Sequence, residues 1–157
     1  MTLALIKLVG LGYMTTHIED AKAFRIAYGQ PLFTGFHQAN ALCRAPMELQ
    51  TKLIKEEALE FEEAVYNLLD RDFAFQSPEH SLLLQENILK ELADLVFTAY
   101  QFAAAFNLDL DEALKRVFIS NMSKLGDDGK PIYRTDGKVM KGNNYAPPTL
   151  QDLVTSK

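Results

Sequence analysis

Carboxylate side chains recur at helical spacing in two places along the chain. Glu56, Glu57 and Glu60 fall on one side of a helix, at roughly 100° per residue. Glu91 and Asp94 stand three residues apart in a segment rich in Leu, Val and Phe. Like charges at this spacing oppose a helix, and carboxylates buried without partners cost several kcal/mol. We therefore predict that the two groups meet across a divalent cation.

The ligand types predict which cation this is. Carboxylate oxygens with no thiolate and no histidine at ligand spacing favour Mg²⁺, with Mn²⁺ as a substitute. A di-iron carboxylate bundle is the rival site, and it needs a glutamate three residues before a histidine on two helices. The residues three before the chain's three histidines are Met14, Thr34 and Ser77, which argues against iron.

Four helices are predicted to carry these residues, and no segment alternates as a strand does. Pro46 is the expected first residue of the second helix, because proline is favoured in a first turn. The third helix is apolar all round, which is typical of a central, buried helix. Gly and Pro from Gly126 onward exclude another long helix. The fold class is thus all-α, a four-to-five-helix bundle with an irregular basic C-terminal tail, and the predicted helices cover 18–28, 46–70, 78–106 and 109–123.

Composition limits what kind of protein this is. The 157 residues suit one domain, and 48% hydrophobic with 24% charged residues excludes general disorder. A net charge of −5 argues against binding a nucleic-acid polymer, and no apolar stretch is long enough for a membrane span. The single cysteine, Cys43, fits a cytoplasmic protein. We expect residues 1–13 to be an extension that is not native, 14–125 to form the domain, and 126–157 to be its tail.

The carboxylate pattern resembles a known family. Glu56-Glu57-x-x-Glu60 followed by Glu91-x-x-Asp94 is similar to the EExxE…ExxD metal motif of the MazG-like all-α nucleotide pyrophosphohydrolases. The segments 92–97, 111–113 and 121–124 are also similar to this family. The tail at 128–142 resembles the short, single-domain phage-type and dUTPase-like branch. Thirty residues separate Glu60 from Glu91, at or beyond the long end of the family's usual gap.

The resemblance implies a fold, a reaction and a set of roles. The fold would be that of the all-α NTP pyrophosphatases, and the reaction would be Mg²⁺-dependent hydrolysis of (deoxy)nucleoside triphosphates to monophosphate and pyrophosphate, as nucleotide-pool house-cleaning. Glu57, Glu60, Glu91 and Asp94 would bind metal, while Glu56 would hold a second metal or act as the catalytic base. Residues assigned to substrate, by their charge, stacking or motif position, are His37, Asn121, Lys124, Lys130, Arg134, Lys138, Lys141 and Tyr145.

Two other functions stay open at this point. Phosphoribosyl-ATP pyrophosphohydrolase, which uses a related helical fold, is the alternative enzyme. A non-catalytic helical dimerisation protein, whose carboxylates only solubilise it, is the alternative of another class. In each case the apolar third helix needs more cover than one chain supplies, so we expect a homodimer or a dimer of dimers.

Overall fold

The computed structural model describes residues 16–35, 41–70 and 77–154. Residues 1–13 and His37 therefore lie outside the described residues. The described ranges contain four α-helices and no strand, apart from an isolated antiparallel bridge between Tyr133 and Val139, and the all-α prediction is confirmed. The helices are α1 (His17–Ala27), α2 (Ala41–Leu69), α3 (Pro78–Ala105) and α4 (Leu110–Met122), and a short 3₁₀ helix follows at Gln151–Leu153.

Side-chain caps explain where three of the helices begin. Thr16 and Glu19 form a capping box at the start of α1, each side chain accepting from the other residue's backbone N–H. The Ser77 hydroxyl accepts from the N–H of His80 at the start of α3, directly before Pro78. The Asp109 carboxylate does the same for α4. The predicted helix ranges that begin at 78 and 109 agree with these caps to within one residue.

The predicted start of α2 at Pro46 is wrong. The helix already includes Ala41, and Pro46 lies inside it. A proline lacks one N–H, so near a helix start it removes a single backbone hydrogen bond. The turn of helix before Pro46 therefore survives, and the fully buried Cys43 belongs to it.

Two compact units divide the chain, one up to Asn107 and one from Leu108 onward. In the first unit α3 packs against both α2 and α1. Residues 103–106, at the C-terminal end of α3, are buried. Leu82, Leu83 and Leu89, in the N-terminal half of α3, are 65%, 60% and 68% exposed. The expected burial along the whole helix therefore holds in a single chain only near its C-terminal end, because Leu92, Val96 and Phe97 are still 41%, 49% and 37% exposed.

A buried arginine ties α1 to the end of α3. The Arg25 guanidinium, 2% exposed, donates from Nε and Nη2 to the carbonyl of Pro31 at 3.1 and 2.9 Å, and from Nη1 to the carbonyl of Gln101 at 3.4 Å. The N–H of Phe33 donates to the carbonyl of Ala105 at 2.7 Å. The bonds to Gln101 and Ala105 supply donors to carbonyl groups near the C-terminus of α3, where a cation is also favoured by the helix dipole.

In the second unit the tail folds back on α4. Arg116 of α4 binds the carboxylate of Asp152 with both Nη atoms, at 2.6 and 2.9 Å, and the hydroxyl of Ser120 donates to the carbonyl of Ala146 at 2.8 Å. The N–H of Gly142 donates to the carbonyl of Lys124 at 2.9 Å. A Cβ on Gly142 would lie 2.2 Å from a backbone oxygen of Leu125, so this approach requires glycine.

None of the helices in the described ranges is long and apolar enough to cross a membrane.

Candidate metal centre

Three carboxylates from two helices converge in the first unit. Glu57 and Glu60, one turn apart on α2, face Glu91 of α3, and one oxygen from each lies within 4.8 Å of the other two. The spacing of the two α2 residues puts them on one side of that helix, and the packing of α2 against α3 brings the third. These three residues belong to the set that the sequence predicted as metal ligands.

Burial and like charge make this cluster electrostatically unfavourable without a cation. Glu91 is 8% exposed, Glu57 is half-buried and Glu60 is exposed. Desolvation, and then the charges of Glu60, Asp94 and Glu91, raise the pKa of Glu57 above its ordinary value, while Lys90 opposes the shift. The protein therefore holds Glu57 where its ionised form needs a positive neighbour.

Asp94, the fourth predicted ligand, adjoins the cluster. It is half-buried one turn beyond Glu91 on α3, and its charge is one of those that raise the pKa of Glu57. Lys90 bridges the two α3 carboxylates: its Nζ lies 2.9 Å from Oε2 of Glu91 and 3.1 Å from Oδ2 of Asp94. Hydrogen bonds to both carboxylates raise the pKa of Lys90, so it is a cation at neutral pH.

Sequence reasoning missed Lys90. Its signal was present, because Lys90 directly precedes Glu91 and stands four residues before Asp94, a spacing at which helical ion pairs form.

Glu56 lies beside the cluster on α2. Its carboxylate is 3.5 Å from Nζ of Lys52 and its side chain is 49% exposed. It is absent from the group of carboxylates that approach within 4.8 Å of one another, so the structure places it at the solvent side of this part of α2.

The donor set fits a hard divalent cation. Every side chain offers carboxylate oxygens, and the spread of 4.8 Å is compatible with one ion about 2.1 Å from each oxygen after small rotamer changes. Glu57, Glu60 and Glu91 could hold such an ion, whose charge would offset their mutual repulsion, whereas Asp94 lies outside the group that converges within 4.8 Å.

The predicted substrate residues of the second unit are mostly engaged with near neighbours. Lys124 Nζ donates to Oδ1 of Asn121 at 2.6 Å, and Lys141 Nζ lies 4.2 Å from the ring centre of Tyr145. Arg134 Nε donates to Oδ1 of Asp136 at 2.9 Å, and Nη2 pairs with the other oxygen.

Lys130 and Lys138 share a different environment. Each follows an Asp-Gly pair in which the aspartate accepts from the lysine N–H, at 3.0 and 3.1 Å, and the glycine has a positive φ. Within the described ranges neither ammonium group takes part in an ion pair. These two turns thus present two exposed lysines. The nearby aspartates Asp127, Asp128 and Asp136 make the tail less basic than its cations alone indicate.

Comparison with protein families gives one match. A family model described as phosphoribosyl-ATP pyrophosphohydrolase matches residues 38–121, more than half of the chain. The matched segment contains all four predicted ligands and ends at Asn121, so the tail lies outside it. No curated protein matches the chain significantly.

Proposed function

Since the chain belongs to the phosphoribosyl-ATP pyrophosphohydrolase family, within the MazG-like all-α superfamily, we propose that it hydrolyses (deoxy)nucleoside triphosphates to monophosphate and pyrophosphate with Mg²⁺. Membership alone makes it a divalent-metal-dependent pyrophosphohydrolase, a hydrolase acting on acid anhydrides. The nucleoside triphosphate substrate, the magnesium ion and a role in cleaning the cytoplasmic nucleotide pool are our proposal.

The observation that carries the proposal is the approach of Glu57, Glu60 and Glu91 to within 4.8 Å. A structural acidic surface would spread these charges apart, because each close pair of carboxylates opposes folding. Here the helices hold them together, with Glu91 buried, and Asp94 adds a fourth. Such a site is suited to the polyphosphate chemistry of the family, in which the substrate's negative charge must be neutralised.

The reaction asks little covalent chemistry of the protein. A water oxygen bonds to the α-phosphorus, the bond from that phosphorus to the oxygen bridging to the β-phosphate breaks, and pyrophosphate leaves. A bound Mg²⁺ supplies charge neutralisation at the phosphate oxygens. Glu56 is the proposed base that takes the proton from water, on the ground of its position in the motif; its carboxylate lies outside the group of three, 3.5 Å from Nζ of Lys52.

Cations of the tail are proposed to balance the outer phosphates. A triphosphate carries about four negative charges at neutral pH, which one ion among four carboxylates does not neutralise. Lys130 and Lys138 are the best suited, because their ammonium groups are not committed to ion pairs within the described ranges. Asn121, Lys124, Arg134, Lys141 and Tyr145 stay candidate substrate residues, as does His37.

Phosphoribosyl-ATP is the second candidate substrate, and the description of the matching family favours it. Both reactions break the same kind of anhydride bond and release pyrophosphate, so the metal centre serves either. The two substrates differ at the base, to which phosphoribosyl-ATP has a second sugar phosphate attached.

A substrate panel separates these candidates. The purified chain with Mg²⁺ is incubated with each common NTP, each dNTP and phosphoribosyl-ATP, and pyrophosphate and nucleotide products are quantified. We expect kcat/KM to be highest for a nucleoside triphosphate, with pyrophosphate formed. Highest kcat/KM with phosphoribosyl-ATP would establish the second candidate, and release of inorganic phosphate would disprove the bond assignment. No turnover of any substrate, and no response to EDTA, would favour a non-catalytic helical protein.

We also propose that the working unit is at least a dimer. The N-terminal half of α3 exposes Leu82, Leu83 and Leu89, and α2 exposes Tyr66 and Leu69 at 71% and 72%. Exposed apolar area of this kind is typical of a surface that a partner covers. Light scattering at micromolar concentration should give a mass of two or four chains, and a fully active monomer would disprove the proposal.

A further inference from the structure

The ammonium group of Lys90 pairs with two of the carboxylates that the sequence predicts as metal ligands. Its Nζ lies 3.0 and 2.9 Å from Oε1 and Oε2 of Glu91 and 3.1 Å from Oδ2 of Asp94. One ammonium group therefore contacts three oxygen atoms of two predicted metal ligands. Within the described ranges, this is the cation paired with the carboxylates of the site.

A metal ion and this ammonium group require the same oxygen atoms. Both oxygens of Glu91 accept hydrogen bonds from Lys90, and a divalent ion would bind the same oxygens at about 2.1 Å. Two cations held by the same two carboxylates also repel each other strongly at such short range. The two therefore compete for Glu91 and Asp94.

The surroundings of Lys90 make its departure easy. Its side chain is 60% exposed, whereas that of Glu91 is 10% exposed. The flexible stem of a lysine is able to swing its ammonium group into water, where it is well hydrated. The Glu91 carboxylate cannot move outward in the same way, because it is buried on α3 between the packed helices.

We propose that Lys90 is an internal counter-ion that stabilises the metal-free site and that a divalent ion must displace. The inference rests on the metal site of the proposed function and goes beyond it by assigning a role to a residue outside the carboxylate motif. Lys90 is thus a positioning residue for Glu91 and Asp94 without metal, and it weakens the metal affinity of the site.

Mn²⁺ titration of the purified chain tests the competition without any nucleotide. Isothermal calorimetry on wild type, Lys90→Met and Lys90→Arg measures the affinity directly. We expect Lys90→Met to bind Mn²⁺ about tenfold more tightly, because a positive charge next to the ion is gone. Lys90→Arg keeps the charge and should stay near wild type. Lys115→Met is the matched control, because it removes an exposed lysine that pairs with Glu112 in the second unit.

Thermal unfolding provides the second readout. Without metal, Lys90→Met should melt at a lower temperature than wild type, since the carboxylates lose their counter-ion. With saturating Mn²⁺ the two melting temperatures should converge or change order. Unchanged or weaker Mn²⁺ binding by Lys90→Met would overturn the inference while leaving the proposed function intact. A wild-type chain that binds no Mn²⁺ would overturn both.

Discussion

The carboxylates of the two compact units have opposite electrostatic environments. At the α2–α3 site, burial and neighbouring carboxylates raise the pKa of Glu57. In the second unit, hydrogen bonds from Arg116 lower the pKa of Asp152 and of Glu112. The first arrangement stores repulsion that an ion relieves, and the second is neutral by itself. The candidate site therefore carries an excess of negative charge that Lys90 offsets only in part, whereas the charges around Arg116 are matched pair by pair.

The glycines of the tail have specific structural roles in the second unit. A glycine-rich strip is open to interpretation as a mobile lid, but Gly129 and Gly137 adopt φ values of 74° and 85° in Asp-Gly-Lys turns. Gly142 allows the close approach to Leu125. These glycines serve specific turns and contacts. The second unit thus presents its lysines on defined backbone turns.

Removal of one ligand charge at the acidic site should have the largest effect. Glu57→Gln and Asp94→Asn each replace a carboxylate by a neutral group of similar size, and we expect each to lower the rate of pyrophosphate release about a hundredfold or more. Circular dichroism should show unchanged helicity. Glu62→Gln, an exposed neighbour on α2, is the control and should keep normal rates. Near-wild-type rates for Glu57→Gln at saturating Mg²⁺ would remove it from the ligand set.

Metal should stabilise the chain, and acid should reverse the effect. At a Mg²⁺ concentration one hundred times the Kd, linkage adds about 2.7 kcal/mol to the free energy of unfolding. Because the pKa of Glu57 is raised, its carboxylate takes up a proton earlier than an ordinary glutamate as the pH falls. Stabilisation by metal is therefore present at neutral pH and lost on acidification.

Differential scanning calorimetry with Mg²⁺ and with EDTA, at pH 7 and pH 5, measures this linkage. The gain in melting temperature should be smaller at pH 5 and smaller again in Glu57→Gln. An equal gain at both values would contradict the assignment of carboxylates as ligands.

Neutralising the two unpaired lysines of the tail should have a moderate effect. We expect Lys130→Gln combined with Lys138→Gln to raise KM about fivefold and to weaken its dependence on salt, because fewer charges attract the phosphates. The melting temperature should stay unchanged, since these side chains make no ion pairs within the described ranges. Arg134→Gln is the comparison: it breaks the pair with Asp136 and should loosen that turn. Unchanged KM with a lower melting temperature would make the lysines structural.

The smallest effect should come from the matched charges of the second unit. Asp152→Asn removes the bidentate partner of Arg116, and the pair is solvent-exposed on the aspartate side. Because the pKa of Asp152 is lowered, its ion pair with Arg116 contributes fully above the ordinary aspartate pKa of about 4. That contribution is lost as the pH falls through the pKa of Asp152 in the folded protein. After correction for the intrinsic pH dependence of amide exchange, the protection factors of α4 and tail amides should therefore fall at low pH in wild type and depend less on pH in Asp152→Asn. Equal pH dependence would mean that the pair does not hold the tail.

Local signals in the sequence predicted the elements well where a side chain caps a helix. Ser77 and Asp109 stand where α3 and α4 begin, because their oxygens satisfy N–H groups of the first turn. Pro46 misled because proline is favoured in the first turn of a helix, whereas here it lies in the second turn and removes one backbone hydrogen bond. The burial of α3 was overestimated because an apolar pattern shows that a surface needs cover without showing which chain provides it.

The sequence by itself determined which carboxylates share a helix face, since Glu57 with Glu60 and Glu91 with Asp94 are three residues apart and helix geometry does the rest. Only the tertiary structure decided that Glu57 and Glu60 meet Glu91, and that the ammonium group of Lys90 pairs with both Glu91 and Asp94. Thirty residues lie between the two motifs, and the register at which α2 and α3 pack depends on side-chain contacts along both helices. The spacing of residues along the chain fixes the directions in which their side chains leave one helix. The distances between side chains on different helices depend on how the two helices pack along their whole length.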